Sequence, residues 1–182
     1  YDYGGVSPGP TPETRGSPAA PPSPAYSQGT PPAVLADVVV LPFNHTEQAV
    51  ARIEREASHL AAVVVDPVPN RVGLVPARTE FLQALRTVTK AHGIVLIFDE
   101  VISFRAGYHG AQGVLGVTPD MTTLGKIIGG GFPVGAVAGR ADVMAVFDPT
   151  RGGPPPAPHG GTFNANPVTM AAGLAGMRLL TP

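Results

Sequence analysis

Two unbroken apolar runs, residues 61–65 and 94–98, constrain this chain more than any other feature. Between them, Phe81, Leu82, Leu85 and Val88 recur at helical spacing, with Thr79 as a predicted cap and Gly93 as a predicted stop. An apolar strand, a helix and a second apolar strand in that order define a crossover unit, which implies a mostly parallel sheet with strands buried on both faces. The pattern extends outward. Residues 38–41 form a short apolar run that reads as a strand. Asn44 is a predicted cap for a helix carrying Val50, Ile53 and Ala57, and residues 121–124 and 135–138 read as shorter strands. Asn166 and Pro167 open a last helix through Met170, Leu174 and Met177. The fold class is therefore α/β.

The first 34 residues are different in kind. They hold 9 of the 22 prolines and 5 of the 23 glycines, with almost no aliphatic side chains. Such a segment buries too little apolar surface to offset its ordering entropy, so composition alone reads it as a disordered tail. The remainder, 35–182, reads as one domain. A net charge of -1 supplies no basic patch for nucleic acid or an anionic membrane, and no apolar run approaches the roughly 20 residues of a membrane span. With no cysteine, the chain has no disulfide and no thiolate metal site, and it suits a reducing cytoplasmic setting. The histidines at 45, 59, 92, 109 and 159 show no metal-ligand spacing.

In open parallel sheets, ligands sit at the carboxyl ends of strands. Asp66 and Asp99 end the two apolar runs, and Lys126 follows the third strand between Gly125 and the triplet Gly129, Gly130, Gly131. A lysine just past a buried strand, beside Ile127 and Ile128, is expected to be partly desolvated, which favours the neutral, nucleophilic amine. Asp99 and Val101 are two residues apart and face one side of an extended chain, with Glu100 on the other. That argues against a pair of facing carboxylates and for one carboxylate plus one apolar group meeting a flat ligand. Gly160, Gly161 and Thr162 precede the last helix. They suit either a phosphate cradle or an ordinary turn. A P-loop is excluded, since Asp120 and Ile127 stand where that motif needs Gly and Ser or Thr.

Leu96-Ile97-Phe98-Asp99-Glu100-Val101 followed by Thr123-Leu124-Gly125-Lys126-Ile127-Ile128-Gly129-Gly130-Gly131 resembles the core signature of class III aminotransferases. In detail it is most similar to the glutamate-1-semialdehyde 2,1-aminomutase group. Supporting stretches are Gly116-Val117-Thr118-Pro119-Asp120 and Gly161-Thr162-Phe163-Asn164-Ala165-Asn166-Pro167. The resemblance implies the central part of the large domain of fold-type I pyridoxal phosphate enzymes. It also implies amino-group transfer on a small amino or keto substrate, in a homodimer. In that reading Lys126 holds pyridoxal 5'-phosphate covalently as a Schiff base and shuttles protons. Asp99 pairs with the pyridinium nitrogen, and Val101 packs on the ring face. Gly161 and Thr162 reach the cofactor phosphate from the partner subunit. Asp66 departs from the Glu expected before Pro67, and Phe104 follows Ser103 without the intervening residues of many relatives. The resemblance turns the Pro/Gly segment into a lid over the site, a second reading beside the disordered tail. A non-catalytic remnant, or a module of a larger synthase, is the alternative functional reading.

Overall fold

The computed structural model of the chain describes residues 6, 16–17, 21–150 and 152–182. A four-stranded sheet in the order β1-β2-β3-β4 is its centre, with β1 at Ala62–Val65, β2 at Val95–Asp99, β3 at Met121–Gly125 and β4 at Gly135–Gly139. β1, β2 and β3 run parallel, and β4 returns antiparallel along β3. The sheet is mostly parallel, as the crossover pattern requires.

Helices α2 (Thr46–Glu56) and α3 (Thr79–His92) cover one face of the sheet. Ala49 and Ile53 from α2 and Phe81, Leu82, Leu85 and Val88 from α3 pack against Val63, Val65, Leu96 and Phe98. Gly93 ends α3 in the left-handed region at φ 68°, where the missing Cβ removes the steric cost. The opposite face is open. Val64 is 65% exposed, and every residue of β4 is exposed. The expectation of strands buried on both faces therefore fails. Within the chain, α2 and α3 lie on one side only.

Two local expectations also change. Residues 38–41 form no strand, because β1 is the edge of the sheet and no described strand pairs beyond it. Asn44 does not cap α2, whose N-cap is His45. Asn44 sits at φ 61° and reaches across to the start of α3: its amide donates to the Pro76 carbonyl at 3.1 Å, and Arg78 N–H donates to its Oδ1 at 2.8 Å. Of the Pro/Gly segment, residues 1–5, 7–15 and 18–20 lie outside the described residues. Its described part contains a short helix, α1 (Pro32–Ala36), and returns onto the body. Ser23 Oγ donates to the Val38 carbonyl at 2.5 Å. The Arg71 guanidinium donates to Tyr26 Oη at 3.2 Å and lies 5.2 Å from the ring centroid.

Asp120, just before β3, ties the amino end of the sheet together. Leu96 N–H donates to its Oδ2 at 2.8 Å, Arg86 from α3 reaches Oδ2 at 2.9 Å, and Arg140 beyond β4 reaches Oδ1 at 2.6 Å. Burial pushes this carboxyl up, but the Leu96 N–H and the two guanidiniums outweigh it and hold it below the usual carboxylate range. A carboxyl depressed in the folded state stabilises the fold fully above its unfolded value of about 3.9 and loses that contribution as pH falls further. Asp120→Ala leaves the buried Leu96 N–H without an acceptor and removes the Arg86 pair, while Arg140 keeps Asp142, and it should cost about 1–3 kcal/mol at pH 7 by chemical denaturation. The gap between wild type and variant should narrow below about pH 4. An unchanged denaturation midpoint at pH 7 would refute this role.

Candidate active site

The carboxyl ends of β1, β2 and β3 carry the residues singled out in the sequence. Strand register aligns Val65 with Phe98 and Asp99 with Thr123. Alternation along β2 sends Leu96 and Phe98 into the core, so Asp99 shares the open face. Asp66, one residue past β1, falls beside Asp99 by the same register. The open face thus bears Asp66, Asp99 and Thr123 side by side.

Asp99 is held by one oxygen. Its Oδ1 accepts from Val101 N–H at 3.1 Å and from Thr123 Oγ1 at 3.0 Å. Among the described residues nothing donates to Oδ2. Val101 packs over Gly125, where a Cβ would lie 3.3 Å from Val101 Cγ1. The carboxylate, the isopropyl group and the strand end before the lysine therefore form one surface.

Glu100 takes the opposite direction, as alternation predicts, although the strand ends at Asp99 and a turn follows. It is fully buried. Its Oε2 accepts from Ala111 N–H at 2.6 Å and its Oε1 from Gln112 N–H at 3.0 Å, at the start of α4 (Gly110–Leu115). Gly110, at φ 72°, leaves no room for a Cβ beside the carboxylate. Burial raises the Glu100 carboxyl, and the Gln112 and Ala111 N–H groups oppose that rise. Sequence reasoning excluded Glu100 from the ligand face but did not foresee this anchoring role. The signal was an acid ten residues before a helix that lacks its own side-chain cap.

Asp66 accepts from Val68 N–H at 2.9 Å. Its carboxyl is raised by burial, opposed by the Val68 N–H, raised further by the Asp99 charge and lowered by that of Lys126. Asp66 thus feels both other charged groups of the site.

Lys126 follows β3 at φ 49°, a left-handed backbone rare for a residue with a side chain. It is exposed, contrary to the expected desolvation, since no residue of the open face covers it. Among the described residues its side chain makes no hydrogen bond or ion pair. It begins a tight 3-10 turn, Lys126–Gly129. Helix α6 (Pro167–Met177) lies against that turn, backbone to backbone. A Cβ on Gly130 would strike the Ala172 carbonyl, and one on Gly173 would strike the Ile128 carbonyl. Asn166 caps α6 as the sequence predicts, with its Oδ1 accepting from Val168 N–H at 3.0 Å and Thr169 N–H at 3.2 Å.

Gly161 and Thr162 are outside the cluster of Asp66, Asp99, Val101 and Lys126. Both are exposed, on the loop leading into α6. Beside that loop runs an open apolar groove of about 930 Å³, lined by Ile128, Val134, Phe163, Met170, Leu174 and Met177. Among the described residues no group of His, Cys, Asp and Glu is placed to hold a metal ion, and no helix is long and apolar enough to cross a membrane.

The parallel sheet and the Asp99–Lys126 cluster at its carboxyl end define a class. The sequence matches the aminotransferase class III family over residues 19–181, and the chain belongs to that family. It is 49% identical over 154 residues to a beta-phenylalanine transaminase of Variovorax paradoxus, covering 84% of this chain and 35% of that protein. It is 44% identical over 157 residues to a glutamate-1-semialdehyde 2,1-aminomutase of Bacillus pumilus, covering 86% and 36%. The crystal structure of an omega-transaminase from Sphaerobacter thermophilus superposes with a TM-score of 0.95 at 61% identity, over 100% of this chain and 41% of that one. The fold is that of fold-type I pyridoxal phosphate enzymes. The chain spans about a third of the length of these curated relatives.

The α6 contact makes a specific demand. Gly173→Ala should cost about 1–3 kcal/mol by overpacking, with at most about 1 kcal/mol returned by the better helix propensity of Ala. Urea titration followed by circular dichroism measures it, and equal midpoints would show that the helix is free to move off the turn.

Proposed function

We propose that this chain forms the cofactor-binding centre of an enzyme that transfers amino groups with pyridoxal 5'-phosphate. The observation that carries the reading is the convergence of Asp99, Val101 and Lys126 on one open face, with Asp99 Oδ2 unengaged. These residues fit the group: a carboxylate for a ring nitrogen, an apolar side chain for a ring face and an unpaired primary amine for a carbonyl carbon. When bound, the cofactor supplies an electron sink for the carbon that bears the amino group.

The chain's own residues divide the remaining work. Asp99 holds a proton on the ring nitrogen through its free oxygen. Val101 fixes the plane against which the ring lies. Lys126 would hold the cofactor through its amine, and the same amine is the group placed to take up and return protons beside it. Its exposure and lack of a competing partner leave that amine available. Gly161 and Thr162 belong to the phosphate of a partner subunit's cofactor. A homodimer is supported by the apolar groove beside them and by Phe163, Met170 and Leu174, which are 83%, 47% and 55% exposed. The 1–34 segment is read as a lid. The Tyr26–Arg71 contact supports this, since Arg71 lies in the turn that follows Asp66. The cysteine-free sequence suits the cytoplasm.

Transfer between separate molecules is favoured over transfer within one substrate. Among solved structures, the 61% identity to an omega-transaminase extends over the whole chain, against 30% over 75% of it for an aminomutase of Pseudomonas aeruginosa, while the curated transaminase and aminomutase relatives stand level at 49% and 48%. Lys126→Ala should abolish the visible absorbance band of the bound cofactor and lower turnover by at least about a thousandfold. Protein that never acquires the band would refute the cofactor reading. In a donor and acceptor panel, turnover should require an added keto acid or aldehyde. Conversion of glutamate-1-semialdehyde with no added acceptor would instead select the aminomutase.

A further inference from the structure

We propose that Thr123 is a positioning residue that sets the orientation of Asp99 toward the cofactor ring. The inference rests on the pyridoxal phosphate reading above and assigns a role to a side chain outside the family signature's reactive residues. Strand register places Thr123 directly across from Asp99 on the open face. Its Oγ1 donates to Asp99 Oδ1 at 3.0 Å. The other donor to that oxygen is Val101 N–H at 3.1 Å, from the turn after β2. Two donors on one oxygen fix the rotation of the carboxylate and leave Oδ2 as the free acceptor. With Val101 N–H alone, the group would be held at one point and would turn about its Cβ–Cγ bond.

The neighbouring charges make that restraint necessary. Asp66 stands one residue past β1, beside Asp99, and its carboxyl responds to the Asp99 charge. Like charges on adjacent strands repel. Glu100 faces the other way and is tied to α4, so it does not compete for the open face. Thr123 is therefore the one side chain of the row that donates to Asp99. Its β-branched stem also keeps the hydroxyl in few rotamers.

The test uses Thr123→Val, which keeps shape and strand propensity and removes the donor, and Thr123→Ser, which restores it. Pyridoxal 5'-phosphate is titrated into each purified protein and followed by visible absorbance, and the spectrum of the bound form is then recorded against pH. Loss of a hydrogen bond to a charged group should weaken cofactor binding about tenfold in Thr123→Val. It should also displace the pH at which the bound spectrum changes. Thr123→Ser should recover both properties. If Thr123→Val fails to fold, Thr123→Ala takes its place, since it also lacks the donor. Wild-type affinity and wild-type spectral titration in the variant would overturn the role of Thr123 while leaving the cofactor reading intact. A wild-type protein that shows no visible band would overturn both.

Discussion

The arrangement depends on one close approach of backbone to backbone, where α6 lies on the turn that starts at Lys126. Gly130 and Gly173 have no side chain at the contact, and the carbonyls of Ala172 and Ile128 occupy that space. Side-chain packing at ordinary distances would leave the turn free to drift by the width of a methyl group. Contact without side chains leaves little slack, so the position of the lysine relative to β3 is inherited from the helix. Asn166 extends the effect by fixing where that helix begins.

The second organising element is the division of labour between the two ends of the sheet. At the amino end, Asp120 is saturated with donors and locks β2, α3 and the segment after β4. At the carboxyl end, Asp99 has one oxygen satisfied and one free. A carboxylate of the same type is structural in one place and available in the other, and the number of donors aimed at it decides which. Between them, Glu100 shows the structural pattern within one residue of the ligand face.

Much of this was legible in the sequence. Unbroken apolar runs located β1 and β2 to within a residue, although only one face of these strands is covered within the chain. The period of two separated Glu100 from Asp99. What could not be read were contacts between distant residues. Asn44 has the chemistry of a cap, yet its amide is spent on the backbone of Pro76 and Arg78, just before α3 and more than thirty residues away. Lys126 looks buried by its apolar neighbours Ile127 and Ile128, yet the turn leaves the lysine exposed, with Ile128 lining the groove beside α6. Residues 38–41 have strand composition without a neighbour to pair with, and composition cannot supply the partner.

The left-handed backbone at Lys126 sets the interests of folding and of chemistry against each other. A glycine would adopt φ 49° without steric cost, whereas a lysine there carries strain of order 1–3 kcal/mol. The clamp from α6 holds that strained geometry in place. Natural variation that drifted toward a more comfortable fold at this position would sacrifice the amine first. Relieving the strain at position 126 and keeping an amine there are therefore incompatible.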